Sequence, residues 1–257
     1  MNLMKKYRIL YEQAFVPIFV KDDYCTETLL KGCELAGFKA LEYTLRREDA
    51  KQVIPTLRGR YPHHAIIVGS TLDSDTMVKH MAKRFPQLMT IDEIHNHQVD
   101  GFVSMLGWSL SKIRQYCGTH LVMVTASTTT EALLQADAGA QFIKFDGGRL
   151  DFVKACRAQA TFDFCPVFVT GGMTVERIPE AVEAGAVLVG SGFDLTLKGI
   201  QPGELTPEMV CERLLSHQKA VLDARARVFP SLAGLAGLTD REFFDRLPHY
   251  HPFGDLA

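Results

Sequence analysis

The 257-residue chain predicts a closed (β/α)8 barrel, an α/β fold in one domain, with an insertion before the fourth strand and a helical extension after the eighth. Two observations carry that expectation. Short runs rich in β-branched and aromatic residues alternate with helix-like stretches, the rhythm of βα units around a parallel sheet, and eight such runs can be counted. Eight alternating units in about 250 residues match the dimensions of a closed barrel better than those of an open doubly wound sheet. A hydrophobic share of 47% beside 23% charged residues supplies a sizeable core.

The expected strands are Phe15 to Val20, Lys39 to Tyr43, Ala65 to Val68, Gly101 to Met105, His120 to Val124, Gln141 to Phe145, Val167 to Val169 and Ala186 to Val189. Amphipathic segments lie between them: Thr26 to Ala36, Arg47 to Arg58, Thr129 to Ala138 and Thr174 to Ala184. Each opens on a plausible cap, and most close on Gly or Pro. One repeat is long. Ala65 to Gly101 spans 36 positions, whereas Lys39 to Ala65 and Gln141 to Val167 each span 26, so residues 84–99 read as a polar insertion or an extra short helix. Pro207 to Phe229 reads as a long amphipathic helix. The expected division is therefore a barrel over residues 1–229 and a surface tail over 230–257, in which Thr239 to Glu242 cap a turn of helix that docks Phe243 and Phe244.

Composition narrows the partners. Twenty-eight Lys and Arg against 30 Asp and Glu give a formal charge of -2, which is no electrostatic footprint for nucleic acid. A small-molecule substrate fits better. The first residues, Met1 to Tyr7, lack an apolar signal core, and no run approaches the roughly 20 apolar residues of a membrane span, so a cytoplasmic protein is expected. The six cysteines form no C-x-x-C pair and read as buried free thiols. His63-His64 and His95-Asn96-His97 lack metal-ligand spacing and read as surface loop histidines, so no metal site is expected.

Active-site chemistry in a barrel gathers at the carboxyl ends of the strands, and those ends are polar here. Lys144 interrupts the apolar run Phe142-Ile143-Lys144-Phe145. The commoner fate of such a lysine is a flexible stem that carries its charge to water. Burial instead favours the neutral amine, the form that attacks a carbonyl to make a Schiff base. Glu42, within Leu41-Glu42-Tyr43-Thr44-Leu45-Arg46, is either turned to solvent, paired with Arg46, or held in the mouth as a proton-transfer group. Arg46 itself suits a substrate carboxylate, because its planar fork binds two oxygens at once. Gly171-Gly172 and Gly190-Ser191-Gly192 end the last two strands. Tight turns use glycine anyway, but on consecutive strands seven and eight the pair points to a phosphate site of backbone N–H groups.

With these motifs in hand, the sequence resembles the 2-keto-3-deoxy-6-phosphogluconate and 4-hydroxy-2-oxoglutarate aldolase family over roughly Val16 to Leu197. Supporting matches are Val16-Pro17-Ile18, Gly69 and Thr71, Ser127-Thr128 with Glu131, and Thr170-Gly171-Gly172. The resemblance implies a class I, metal-independent aldolase without cofactor, usually a homotrimer, that splits a 2-keto-4-hydroxy acid into pyruvate and an aldehyde. By position it assigns Lys144 to the Schiff base, Glu42 to acid/base work, Arg46 and Thr71 to the pyruvyl carboxylate, Thr170 to a substrate contact, and Gly171, Gly172, Gly190 and Ser191 to phosphate. Two turns depart from the family: Ser104-Met105-Leu106-Gly107 replaces Ser-Pro-Gly, and Asp146-Gly147 replaces Phe-Pro. The paired glycine turns still lead to the expectation of a phosphorylated substrate. A phosphosugar isomerase or epimerase on the same barrel, and a keto-acid-binding barrel without turnover, are the alternatives.

Overall fold

The structure, a computed structural model, describes residues 2–159 and 163–253. Its elements run α1 (Leu3–Gln13), β1 (Phe15–Phe19), α2 (Thr26–Leu35), β2 (Ala40–Thr44), α3 (Ala50–Arg60), β3 (Ala65–Thr71), α4 (Asp75–Met81), α5 (Ile91–His95), β4 (Gly101–Ser104) and α6 (Leu110–Tyr116). They continue with β5 (Leu121–Thr125), α7 (Thr129–Asp137), β6 (Phe142–Asp146), α8 (Leu150–Arg157), β7 (Val167–Thr170), α9 (Ile178–Ala184), β8 (Ala186–Gly192), α10 (Phe193–Thr196), α11 (Pro207–Val228) and α12 (Asp240–Asp245). The eight strands pair in sequence order, all parallel, and β1 closes on β8 through Phe15 opposite Val189 and Pro17 opposite Ser191. This is the (β/α)8 barrel that the alternating pattern predicts.

Strand alternation divides the apolar residues into two layers. Val16, Ala40, Ala65, Ile67, Val103, Leu121, Met123, Phe142, Phe168 and Leu188 pack inside the barrel, while Phe19, Leu41, Tyr43, Val68, Ile143, Phe145 and Val169 pack outward against the helices. Burial on both faces is why the strands read as continuous apolar runs. The polar residues within them, Glu42, Lys144 and Thr170, share the inward parity at the carboxyl ends.

The extra helix expected between the third and fourth strands is α5, opened by a capping box in which Thr90 and Glu93 satisfy each other's backbone N–H groups. The helix α1 was not expected from the sequence. Asn2 caps it by accepting the Lys5 N–H at 2.9 Å, and Tyr7, Leu10 and Tyr11 bring an apolar stripe against the amino end of the barrel. There Tyr7 and Tyr11 meet Phe142, with ring centroids 5.2 and 5.6 Å apart. Phe243, Phe244 and Phe253 from the carboxyl-terminal segment are buried in the same cluster. Residues 254–257 of the expected tail lie outside the described residues.

Candidate active site

At the opposite, carboxyl end of the barrel a cavity of about 460 Å³ opens among the strand ends. Lys144, Glu42, Arg46, Thr170, Gly171 and Gly172 all line it, together with Ile18, Lys21, Ser70, Met105, Asp146, Gly192 and Asp194. Six of the residues selected from sequence, drawn from three strand ends, therefore converge on one space.

Lys144 is aligned with Thr125 of β5 and Phe168 of β7. Its Nζ donates to the Ser104 carbonyl at 2.6 Å. Ser104 is itself fixed, because its Oγ accepts the Thr125 N–H at 2.8 Å and its carbonyl also accepts the Thr125 hydroxyl at 3.0 Å. Burial lowers the Lys144 amine below its ordinary 10.5 and Arg46 adds to the effect, against the opposing pull of Glu42 and Asp146. The neutral, nucleophilic amine is thus closer to hand than on a surface lysine.

Glu42 is 3% exposed, and its Oε2 has no hydrogen-bond partner. Desolvation raises its carboxyl from 4.5 to about 7, only partly offset by Lys144 and Arg46. A buried acceptor without a partner is expensive to maintain. Its room comes from Gly69, the neighbouring inward position of β3. A Cβ at Gly69 would lie 2.7 Å from Cδ and 2.9 Å from Cγ of Glu42, and closer still to Oε1.

Arg46 donates from Nε to Ser70 Oγ at 3.0 Å and pairs with no carboxylate among the described residues. Its neighbour Arg47, by contrast, is buried in a network with Tyr43, Thr26 and Asp49. The Arg46-Glu42 pairing considered from sequence therefore gives way to an Arg46-Ser70 contact, which leaves the guanidinium fork available to a ligand.

Three selected residues do not line the cavity. Thr71 is fully buried and donates to the Val103 carbonyl at 3.0 Å, while Ser70, with a left-handed φ of 62°, reaches the cavity in its place. The pairing of β3 with β4 shifts register between Val68 and Thr71, and such a bulge re-aims side chains against simple alternation. Gly190 faces inward one layer deeper, where a Cβ would touch Ile18 and Phe168 at 3.0 Å. Ser191 is buried and donates to the Met173 carbonyl at 2.6 Å. Gly192, the last residue of β8, and Asp194 and Leu195 of α10 are the residues here that reach the mouth.

Sequence reasoning assigned no role to Ser70, Lys21, Asp194 or Thr125. Ser70 was within reach, as it stands in the same strand end as Thr71; the others lie just beyond or between the motifs. Among the described residues no group of three or more His, Cys, Asp or Glu side chains is arranged to hold a metal ion. Of the paired histidines, His95 ends α5 with its Nδ1 3.2 Å from His120 Nε2, and His64 is half-buried against Tyr61. Cys33, Cys156 and Cys165 are buried free thiols, whereas Cys25 is exposed and Cys117 and Cys211 are half-buried, so burial holds for only part of the set. No described helix is long and apolar enough to cross a membrane.

No family model matches the chain. The 2-dehydro-3-deoxy-6-phosphogalactonate aldolase of Escherichia coli (strain K12) is 29% identical over 189 residues, which cover 72% of this chain and 85% of that protein. This curated relative is an aldolase of the kind that the motifs of the sequence resemble. Solved aldolase structures share the fold of this chain at lower identity. A 4-hydroxy-2-oxoglutarate/2-dehydro-3-deoxyphosphogluconate aldolase from TTHB1 superimposes with a TM-score of 0.63 at 18% identity, covering 86% of this chain and 99% of that one. The aldolase from Legionella pneumophila, solved with pyruvate captured as a covalent carbinolamine, gives 0.60 at 15% identity, covering 82% and 97%.

Proposed function

We propose that the protein is a class I aldolase that cleaves a 2-keto-4-hydroxy acid to pyruvate and an aldehyde through a Schiff base on Lys144. The observation that carries the proposal is the pairing in one cavity of a half-buried amine with a lowered pKa and a buried carboxyl raised to about 7. Opposed shifts of this kind suit an acid/base pair working near neutral pH.

Neutral Lys144 adds to the C2 ketone to give a carbinolamine, and Glu42 in its acid form gives its proton to the departing hydroxyl, so that water leaves and a protonated imine and the Glu42 carboxylate remain. Glu42 in its carboxylate form takes the proton from the C4 hydroxyl. The C3–C4 bond then breaks, its electron pair moving towards the imine to give an enamine while C4 leaves as the aldehyde. Glu42 returns a proton to C3, and hydrolysis of the imine frees pyruvate and the amine. The imine nitrogen is the electron sink, so the sequence of steps asks for no metal. Arg46, held by Ser70, is suited to clamp the pyruvyl carboxylate, and Thr170 to contact the substrate beside it. Thr71 supports this end indirectly, through its hydrogen bond to β4. The family resemblance also favours a cytoplasmic homotrimer, which sedimentation of the purified protein would check.

Borohydride reduction in the presence of pyruvate, followed by peptide mass mapping, should place one reduced pyruvyl group on Lys144. Labelling elsewhere, or none, would remove the proposal and leave the isomerase and ligand-binding readings. Cleavage should also survive EDTA; activity lost to the chelator and restored by metal would assign another aldolase class.

A further inference from the structure

Each of the two glycine turns at the cavity has a carboxylate of this chain packed closely against it. Asp146 accepts the Gly148 N–H through Oδ1 at 2.8 Å, and its Oδ2 stands 2.8 Å from where a Cβ on Gly171 would be. Gly171 and Gly172 have left-handed φ values of 83° and 65°, so the turn is held in the glycine-only form that lets a partner approach closely; the partner in place is Asp146. On the other turn, a Cβ on Gly192 would collide with Asp194 Oδ1. Asp194 also lies in the first turn of α10, supplying the negative charge that a helix start prefers.

The nearby cations are already engaged. Lys21 pairs with Asp194 at 3.1 Å. Arg177 donates one Nη to the Gly172 carbonyl at 2.9 Å and the other to the Gly147 carbonyl at 2.7 Å, and it does not line the cavity. The far wall of formal groups is thus Asp146, Asp194 and Lys21, one negative charge in excess. A phosphate dianion placed between the glycine turns would meet both carboxylates. Hydroxyl groups would meet them as donors, and an ionised acceptor strengthens such hydrogen bonds.

Resting on the aldolase reading, we infer that the far end of the substrate is an uncharged polyhydroxyl chain bound by Asp146 and Asp194. The substrate class is then an unphosphorylated 2-keto-3-deoxy sugar acid, releasing glyceraldehyde or a longer neutral aldehyde. A distal phosphate is disfavoured, and so is the second carboxylate of 4-hydroxy-2-oxoglutarate. This reverses the expectation that the glycine turns raise in the sequence, because the glycines make room for side-chain oxygens of the protein itself.

The test uses the full-length enzyme with 2-keto-3-deoxygluconate, 2-keto-3-deoxygalactonate, the 6-phosphates of both, and 4-hydroxy-2-oxoglutarate, each followed by pyruvate release. At least one unphosphorylated sugar acid should show a kcat/KM tenfold or more above its 6-phosphate and above 4-hydroxy-2-oxoglutarate. Asp146→Asn with Asp194→Asn keeps the shape of both side chains and frees Lys21. This double variant should narrow that preference at least tenfold in favour of the 6-phosphate. Pyruvate, which lacks the far end of the substrate, is trapped on Lys144 of the same preparation. A trapped enzyme that cleaves the 6-phosphate as well as or better than the free acid, or whose preference the double variant leaves unchanged, overturns this inference and leaves the aldolase standing. Absence of the Lys144 adduct overturns both.

Discussion

Replacing Gly69 with alanine asks where the Glu42 carboxyl has to be. Gly69 lies in β3 outside the left-handed region, so its backbone accepts alanine without strain. The new methyl would sit 2.7 Å from Glu42 Cδ, where ordinary contact begins at 3.4 Å. The carboxyl must therefore retreat by about 1 Å. A displacement of that size at a reacting group lowers turnover by roughly 10²-fold, and forcing a methyl into a filled space costs about 1–3 kcal/mol of stability. The assay is pyruvate release under saturating substrate, with thermal unfolding measured alongside. In a Glu42→Ala background the space is empty, so the same methyl should be accepted almost freely, giving a coupling of about 1–3 kcal/mol between the two sites. Turnover within threefold of the wild type would refute the assignment of Glu42 to proton transfer. Equal destabilisation in both backgrounds would show that the methyl strikes something else.

Glu42→Gln should slow turnover by about 10²–10⁴-fold while leaving pyruvate trapping detectable; near-normal turnover would return Glu42 to a structural role. The same variant should be more stable than the wild type at pH 8. The folded Glu42 carboxyl, raised to about 7 from 4.5, holds its proton more tightly than the unfolded chain does. Its stabilising contribution is complete below pH 4.5 and is lost as pH rises to 7, after which the ionised form leaves the fold weaker by about 3 kcal/mol. Chemical unfolding of both proteins at pH 4.5 and 8 checks the sign: a gap that fails to widen at the higher pH would contradict it. Trapping of pyruvate by Lys144 should accelerate with pH through a midpoint below the 10.5 of an ordinary lysine; a midpoint at or above that value would mean that burial does not prepare the amine. Arg46→Lys, which keeps the charge and loses the fork, should raise KM by roughly tenfold or more with a smaller change in kcat, and an unchanged KM would free Arg46 from the carboxylate.

The barrel was legible because its signal is periodic and repeated: each strand had to be apolar on both faces, and all eight runs became strands. Lys144 and Glu42 were legible for the converse reason, as charges inside such runs. What failed was register at the strand ends. Thr71 was assigned through the family resemblance, and a motif match has no knowledge of the bulge between Val68 and Thr71. Gly190 and Ser191 were chosen because β8 was expected to stop at Val189, whereas it continues to Gly192. Asp146 was noticed beside the lysine motif, but its capping of Gly148 and closeness to Gly171 are tertiary facts. Asp194 carried no signal, since a single acidic residue at a helix start is commonplace. The helix α1 went unrecognised because tyrosines supply its apolar stripe, and Lys5, Lys6 and Arg8 dilute the pattern around them.

The aromatic seal at the amino end joins distant parts of the chain. Arg8 donates to Asp240, 232 positions away, while neighbouring strands such as Lys39 to Ala65 close over 26. Loop-closure entropy grows as the logarithm of length, so bringing these ends together costs about 2 kcal/mol more than closing one βα unit. Contacts of such high order form late, once the staves of the barrel already stand. Until then Phe142 and its neighbours present an open apolar end to solvent, so the seal belongs to protection against misassociation during folding as much as to the finished enzyme.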